Sequence, residues 1–123
     1  MADKIKILIV DDEPFARNTL KRLLYSDYTR LYEAEDGYEG LIQYDKIRPD
    51  IIIVDLLIKG GIGGEWLIEK LLSSYKKSNI IVCSGKPQSE LLKYILMGAK
   101  ACIHKPVKFN ELWKIINDIT SEA

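Results

Sequence analysis

The chain has 123 residues, of which 47% are hydrophobic and 29% are charged, so a single domain can bury a substantial core. Eighteen lysines and arginines balance 18 aspartates and glutamates, which argues against the strongly basic surface of a nucleic-acid-binding protein. Two cysteines are too few for a disulfide framework. The charged N-terminus and the short apolar runs do not resemble a signal peptide or a membrane span. We therefore expect a cytoplasmic protein with no membrane insertion and no direct nucleic-acid contact.

The first strand and helix set the pattern of the chain. The apolar run from Ile5 to Val10 is almost wholly aliphatic, as expected for a strand that is covered on both faces. In the helix that begins at Pro14, we expect a buried apolar stripe and an outward basic face. The expected stripe comprises Phe15, Leu20, Leu23 and Leu24, and the expected outward face comprises Arg17, Lys21 and Arg22.

Strand-like runs and helix-like segments continue to alternate, which is typical of an α/β fold with a parallel sheet. The predicted later strands are 30–34 (at an edge of the sheet), 51–54, 80–83 and 100–104, and the predicted later helices are 38–47, 65–75, 87–97 and 108–119. A glycine-rich loop at 60–64 precedes the third helix. The chain shows no linker and no repeat, so we predict one domain over residues 1–123, a doubly wound (βα)5 fold.

Four of the predicted strands end on polar or charged residues. Asp11 and Asp12 follow the first strand, Asp55 the third, Ser84 the fourth and Lys105 the fifth. Ligands of open α/β sheets bind at the carboxyl ends of the strands. Two carboxylates about 4 Å apart repel by roughly 4 kcal/mol at an effective dielectric constant of 20, so three of them must take up protons or hold a cation. Mg²⁺ fits best, with Mn²⁺ as a substitute, because carboxylates and phosphate oxygens are its usual ligands.

Taken singly, most of these residues have a plainer interpretation. Asp11 and Asp12 could cap the following helix, Ser84 could be an ordinary strand-end hydroxyl, and Lys105 could be a solvated lysine. Asp55 has no comparable local role, because it directly follows a run of β-branched residues. The combination favours a phosphoryl site with a carboxylate nucleophile, a hydroxyl and an ammonium.

Four motifs, in this order, resemble the receiver domain of two-component response regulators. They are VDDEP at 10–14, VDLL at 54–57, VCSG at 82–85 and HKP at 104–106. The stretches GYEGL at 37–41 and RPDIIIVD at 48–55 extend the resemblance over essentially the whole chain. It implies a flavodoxin-like five-stranded parallel sheet of order 2-1-3-4-5, as in a single chemotaxis-type receiver.

The resemblance also implies a metal site and a phosphoacceptor. Asp55 would accept a phosphoryl group from the phosphohistidine of a sensor histidine kinase or a histidine phosphotransfer protein. Asp12, Asp55 and the backbone carbonyl of Leu57 would ligate Mg²⁺ directly, and Asp11 would act mainly through water. The domain would be a self-phosphorylating switch and not a turnover enzyme.

Two further residues complete the implied site, and the resemblance also implies an output surface. Ser84 would donate a hydrogen bond to the phosphoryl group, and Lys105 would pair with its charge. A downstream protein target would bind the face formed by the fourth helix, the fifth strand and the fifth helix.

The chain departs from the family pattern at several positions. Cys102 stands where the family usually has a tyrosine or phenylalanine that turns inward on activation, so we expect phosphorylation with an atypical output. Leu57 offers no polar group to position an attacking water, so we expect slow loss of the phosphoryl group. Lys59 and Ile62 replace the usual proline and aspartate of the loop after the phosphoacceptor.

The sequence also bears on two alternative functions. A receiver-like interaction module regulated without phosphorylation stays open because of Cys102 and the altered loop. An aspartyl-phosphate phosphatase would need Asp-x-Asp after the first strand, where this chain has Asp-Asp-Glu.

Overall fold

The structure, a computed structural model, describes residues 3–58 and 62–121 and alternates strands with helices. The strands are β1 (Ile5–Val10), β2 (Thr29–Ala34), β3 (Ile51–Asp55), β4 (Ile80–Ser84) and β5 (Ala101–His104). The helices are α1 (Pro14–Leu24), α2 (Gly37–Ile47), α3 (Gly64–Ser74), α4 (Gln88–Met97) and α5 (Phe109–Ser121). Lys59 and the first two glycines of the predicted loop lie outside the described residues.

The five strands form one parallel sheet in the order β2-β1-β3-β4-β5, which confirms the predicted fold class. The strand order reverses between β1 and β3, and ligands of such sheets bind beside that point. The register pairs Val10 with Val54, and Asp55 with Cys83. The residues that end β1, β3 and β4 therefore meet at one edge of the sheet.

Each face of the sheet has its own hydrophobic core. Leu8 and Val10 of β1 belong to the core beneath α2, α3 and α4, whereas Ile7 and Ile9 belong to the core beneath α1 and α5. Both faces are covered, which explains why the central strands are mostly aliphatic. No helix within residues 3–58 and 62–121 is long and apolar enough to cross a membrane.

Helix α1 is turned differently from the predicted orientation. Phe15, expected in the buried stripe, is 74% exposed, and Arg17, expected on the outward face, is only 9% exposed. The buried face runs through Arg17, Leu20 and Leu24, at helical spacings of three and four. Phe15 lies about 200° away from Arg17 around the helix axis, at 3.6 residues per turn. The prediction for these two residues is wrong because acceptors on other elements surround the guanidinium, as described below.

Two adjacent glycines at the start of α3 provide a matched test of close packing. A Cβ atom on Gly64 would overlap the carbonyl oxygen of Asp55, whereas one on Gly63 would meet nothing within 4 Å. We expect Gly64→Ala to lower the free energy of unfolding by about 1–3 kcal/mol, the usual cost of overpacking. Gly63→Ala should cost less than about 1 kcal/mol, because Gly63 is an N-cap residue with an ordinary extended backbone. Urea unfolding of both variants measures the difference, and equal losses would contradict the packing argument.

Candidate functional site

Three carboxylates converge at the carboxyl edge of the sheet. Asp11 and Asp12 directly follow β1, and Asp55 is the last residue of β3. One carboxylate oxygen from each lies within 4.8 Å of those of the other two. Asp11 and Asp55 are buried, and Asp12 is half-buried. This set of hard oxygen donors, without histidine or cysteine, fits Mg²⁺ or Mn²⁺ and does not fit zinc.

The ammonium of Lys105 contacts two of these carboxylates. Its Nζ lies 3.4 Å from Oδ2 of Asp11 and 3.3 Å from Oδ2 of Asp55. The residue follows β5, and its amide donates a hydrogen bond to the carbonyl oxygen of Ser84 at 2.8 Å. Partial burial favours the neutral amine, but the two carboxylates outweigh it and raise the pKa of Lys105. The side chain is therefore a cation at neutral pH.

The pKa of Asp55 is raised above its ordinary value. Burial raises its pKa, the charge of Lys105 opposes that effect, and the charge of Asp11 adds to it. The amide of Leu57 donates a hydrogen bond to Oδ1 of Asp55 at 3.2 Å. The net shift is upward, which means that the ionised form is disfavoured in this environment. A cation that enters the cluster would therefore stabilise the Asp55 carboxylate.

Ser84 lies on the strand beside Asp55. It is the last residue of β4 and is 1% exposed, one position beyond Cys83, the residue that pairs with Asp55. Its Oγ accepts a hydrogen bond from the amide of Lys86 at 3.0 Å. The structure thus places Ser84 at the same edge as the carboxylates, with its hydroxyl fixed by the start of the following loop.

Leu57 lies in the loop that follows β3. Its amide contacts Asp55, as described above, and its side chain is 61% exposed. The side chain is apolar and brings no hydrogen-bonding group to this edge of the sheet.

A buried arginine beneath the cluster was missed by the sequence analysis. The guanidinium of Arg17 donates from Nη1 to the carbonyl oxygen of Asp11 at 2.7 Å and from Nε to Oε1 of Glu33 at 3.0 Å. One signal could have found it: Arg17 stands three and seven residues before Leu20 and Leu24, and so on their face of the helix.

A second unpredicted group lies near Cys102. Cys102 is half-buried, and its Sγ donates a hydrogen bond to the carbonyl oxygen of Leu91 at 3.4 Å. In the same core, Tyr94 of α4 is 1% exposed and donates from its hydroxyl to Oε2 of Glu65 at 3.2 Å. Tyr94 of α4 thus belongs to the hydrophobic core against which Cys102 of β5 packs.

Replacing Asp55 by asparagine tests the charge crowding in the absence of Mg²⁺. We expect Asp55→Asn to raise the free energy of unfolding at neutral pH by on the order of 1 kcal/mol, because a buried anion beside Asp11 is removed. The pKa of Asp55 is raised in the folded protein, so its ionisation destabilises the fold above that pKa. The advantage of the variant should therefore shrink as the pH falls toward the ordinary value of 3.8.

The measurement is urea unfolding from neutral to mildly acidic pH with a chelator present. The control is Asp118→Asn, since the exposed Asp118 pairs with Lys114 on the same helix. It should change the free energy of unfolding by less than about 0.5 kcal/mol. A variant at Asp55 that is less stable than the wild type at neutral pH would show that attraction to Lys105 outweighs burial.

The comparison with known proteins agrees with the geometry. Residues 7–117 match the family described as the response regulator receiver domain. The chemotaxis protein CheY of Listeria monocytogenes is 35% identical over 104 residues, which cover 83% of this chain and 87% of that protein. CheY of Thermotoga maritima is 30% identical over 117 residues, which cover 94% and 97% of the two chains.

A solved structure shares the fold. The crystal structure of the CheX–CheY–BeF3–Mg²⁺ complex from Borrelia burgdorferi aligns with a TM-score of 0.88 at 22% identity, over 96% of this chain and 90% of that one. The match over residues 7–117 and the two CheY relatives establish the family. The chain belongs to the response regulator receiver domains, which are signalling switches of two-component systems and not turnover enzymes of the ordinary kind.

Proposed function

We propose that residues 1–123 form a single receiver domain in which Asp55 accepts a phosphoryl group from a phosphohistidine. The donor is a sensor histidine kinase or a histidine phosphotransfer protein, and the domain acts in a two-component system or phosphorelay in the cytoplasm. One observation carries the proposal: Asp11, Asp12 and Asp55 place carboxylate oxygens within 4.8 Å of one another, and Lys105 contacts two of these residues.

The acidic cluster fits a divalent cation. Asp12, Asp55 and the backbone carbonyl of Leu57 would hold Mg²⁺, with Asp11 acting mainly through water, and Mn²⁺ could take its place. When bound, the cation supplies positive charge that offsets the carboxylates and the transferring phosphoryl group. The solved CheX–CheY complex from Borrelia burgdorferi, which shares this fold, contains Mg²⁺ and BeF3, and this supports the choice of a divalent cation.

The side chains of Asp55, Lys105 and Ser84 suit the transfer of the phosphoryl group. A carboxylate oxygen of Asp55 attacks phosphorus, the bond from phosphorus to the donor imidazole nitrogen breaks, and an acyl phosphate forms on Asp55. Lys105 would pair with a phosphoryl oxygen, since its ammonium already lies 3.3 Å from Asp55. The Ser84 hydroxyl would donate to another of these oxygens.

The output surface proposed from the sequence is the face formed by α4, β5 and α5. On α4, Leu92 is 58% exposed and Leu96 is 79% exposed, which suits a downstream protein with an apolar contact surface. Cys102 lies in β5 of this face, and the atypical output expected from it stays a prediction.

Phosphorylation of Asp55 can be tested with a small-molecule phosphodonor. In the presence of Mg²⁺ and acetyl phosphate, the wild type should gain the mass of one phosphoryl group, and Asp55→Ala should gain none. Asp45→Ala removes an exposed carboxylate on α2 and should be phosphorylated like the wild type. Removal of the metal with EDTA should abolish the adduct, because the carboxylates would then repel the incoming phosphoryl group.

The same intact-mass measurement distinguishes a phosphoacceptor from the second candidate function. An interaction module regulated without phosphate is favoured by Cys102, which stands in β5 at the position where the family usually has an aromatic residue. A folded wild type that gains no phosphoryl group in the presence of Mg²⁺ would reject the phosphoacceptor proposal and support the module.

The apolar side chain of Leu57 predicts a long-lived phosphoryl group. With 61% of Leu57 exposed and no polar group on it, nothing on this side chain positions a hydrolytic water near Asp55. We expect Leu57→Asn to shorten the phosphoryl half-life several-fold, measured by intact mass after the donor is removed. Leu92→Asn, a similarly exposed leucine on α4, is the control and should leave the half-life unchanged. A wild-type half-life of only seconds would contradict this prediction.

A further inference from the structure

We propose that Arg17 is a positioning residue for the metal-binding aspartates. This inference rests on the proposed function of the acidic cluster and extends it to a residue outside that cluster. Arg17 is 9% exposed, and its Nη1 donates to the carbonyl oxygen of Asp11 at 2.7 Å. That carbonyl belongs to the peptide group that links Asp11 to Asp12, so one guanidinium fixes the plane between two of the three acids.

The other nitrogens of the Arg17 guanidinium face Glu33 of β2 and Glu35, which lies just after β2. Nε of Arg17 donates to Oε1 of Glu33 at 3.0 Å, and Nη2 lies 3.9 Å from Oε1 of Glu35. Lys21, one helical turn further along α1, donates to Oε2 of Glu33 at 2.8 Å. These hydrogen bonds, from Lys21 first and then from Arg17, lower the pKa of Glu33 and keep it anionic at neutral pH. Arg17 thus ties the turn after β1 to the neighbouring strand.

Only an arginine can make this connection in full. The planar guanidinium has donors in fixed directions and can serve Asp11 and Glu33 at once, whereas a lysine ammonium at the end of a flexible stem cannot hold the same angles. The charge of Arg17 is offset by Glu33 and Glu35, so its contribution to the cluster is placement more than attraction. The amide of Glu13, which donates to Oδ1 of Asp11 at 2.9 Å, completes the constrained turn.

Lys21 provides the matched control for this role. Arg17 and Lys21 both pair with Glu33, but the carbonyl oxygen of Asp11 accepts its hydrogen bond from Arg17. We expect Arg17→Met to weaken Mg²⁺ binding about tenfold, as loss of a group that orients metal ligands commonly does. Lys21→Met should bind Mg²⁺ like the wild type. Isothermal titration calorimetry with MgCl2, together with the amide chemical shifts of residues 11–13 and 55–57, measures the affinity without any phosphodonor.

Phosphorylation kinetics add a readout that a loss of stability would not produce. With acetyl phosphate as donor, Arg17→Met should need about tenfold more Mg²⁺ for half-maximal rate but reach a near-normal rate at saturating Mg²⁺. Arg17→Lys keeps the charge beside Glu33 and should bind Mg²⁺ with intermediate affinity. If Arg17→Met does not fold, Arg17→Lys and Glu33→Gln replace it, and both should weaken Mg²⁺ binding in a protein that melts cooperatively.

The outcomes are distinct. Wild-type affinity in the folded arginine variants, or equal losses in Arg17→Met and Lys21→Met, would overturn the inference, because the contact with Asp11 would then be irrelevant. A wild type that binds no Mg²⁺ would instead overturn the proposed function, and this inference with it.

Discussion

The carboxyl edge of this sheet is governed by mutual repulsion among Asp11, Asp12 and Asp55. The carboxylates are held within 4.8 Å of one another, two of them buried, with Lys105 as a partial counter-charge. Burial raises the pKa of Asp55 despite that lysine. A site whose negative charge is only partly neutralised binds a cation more tightly than a neutral site does. Cation binding therefore changes the free energy of the folded domain more than it would at a neutral site. The same repulsion that destabilises the folded chain therefore makes this edge sensitive to cation binding.

The hydrophobic sheet is what prevents the repulsion from relaxing. β1 and β3 are buried on both faces and paired from Ile7 with Ile51 to Val10 with Val54, so their ends cannot separate without breaking the core. The turn after β1 is fixed independently, through Arg17 and the amide of Glu13. Packing in the hydrophobic core thus fixes the positions of the acidic residues, although the core lies away from their charges. The polar contacts orient the turn that carries two of them.

The sequence determines the fold and the acids more directly than it determines their support. Strand and helix ends differ from prediction by at most two residues, because the aliphatic runs and Pro14 mark them locally. Asp55 was recognisable because no local role explains an acid after a β-branched run. Arg17 was misplaced because its burial depends on Glu33, 16 residues away on another element. Tyr94 and Glu65 are separated by 29 residues, and no local pattern predicts such a pair.

The contacts around α3 lie between Asp55, at the end of β3, and helix α4. They matter here because β5 carries Cys102 where the family usually has an aromatic residue. Gly64, the first residue of α3, leaves no room for a Cβ beside the carbonyl oxygen of Asp55, and the next residue, Glu65, accepts a hydrogen bond from buried Tyr94 on α4. Contiguity alone does not establish coupling. The close approach nevertheless means that a backbone shift toward α3 at Asp55 must displace the start of α3, and with it the acceptor of Tyr94. Contiguous contacts through Gly64 and Glu65 therefore lead from Asp55 at the end of β3 to Tyr94 on α4, and none of them involves position 102.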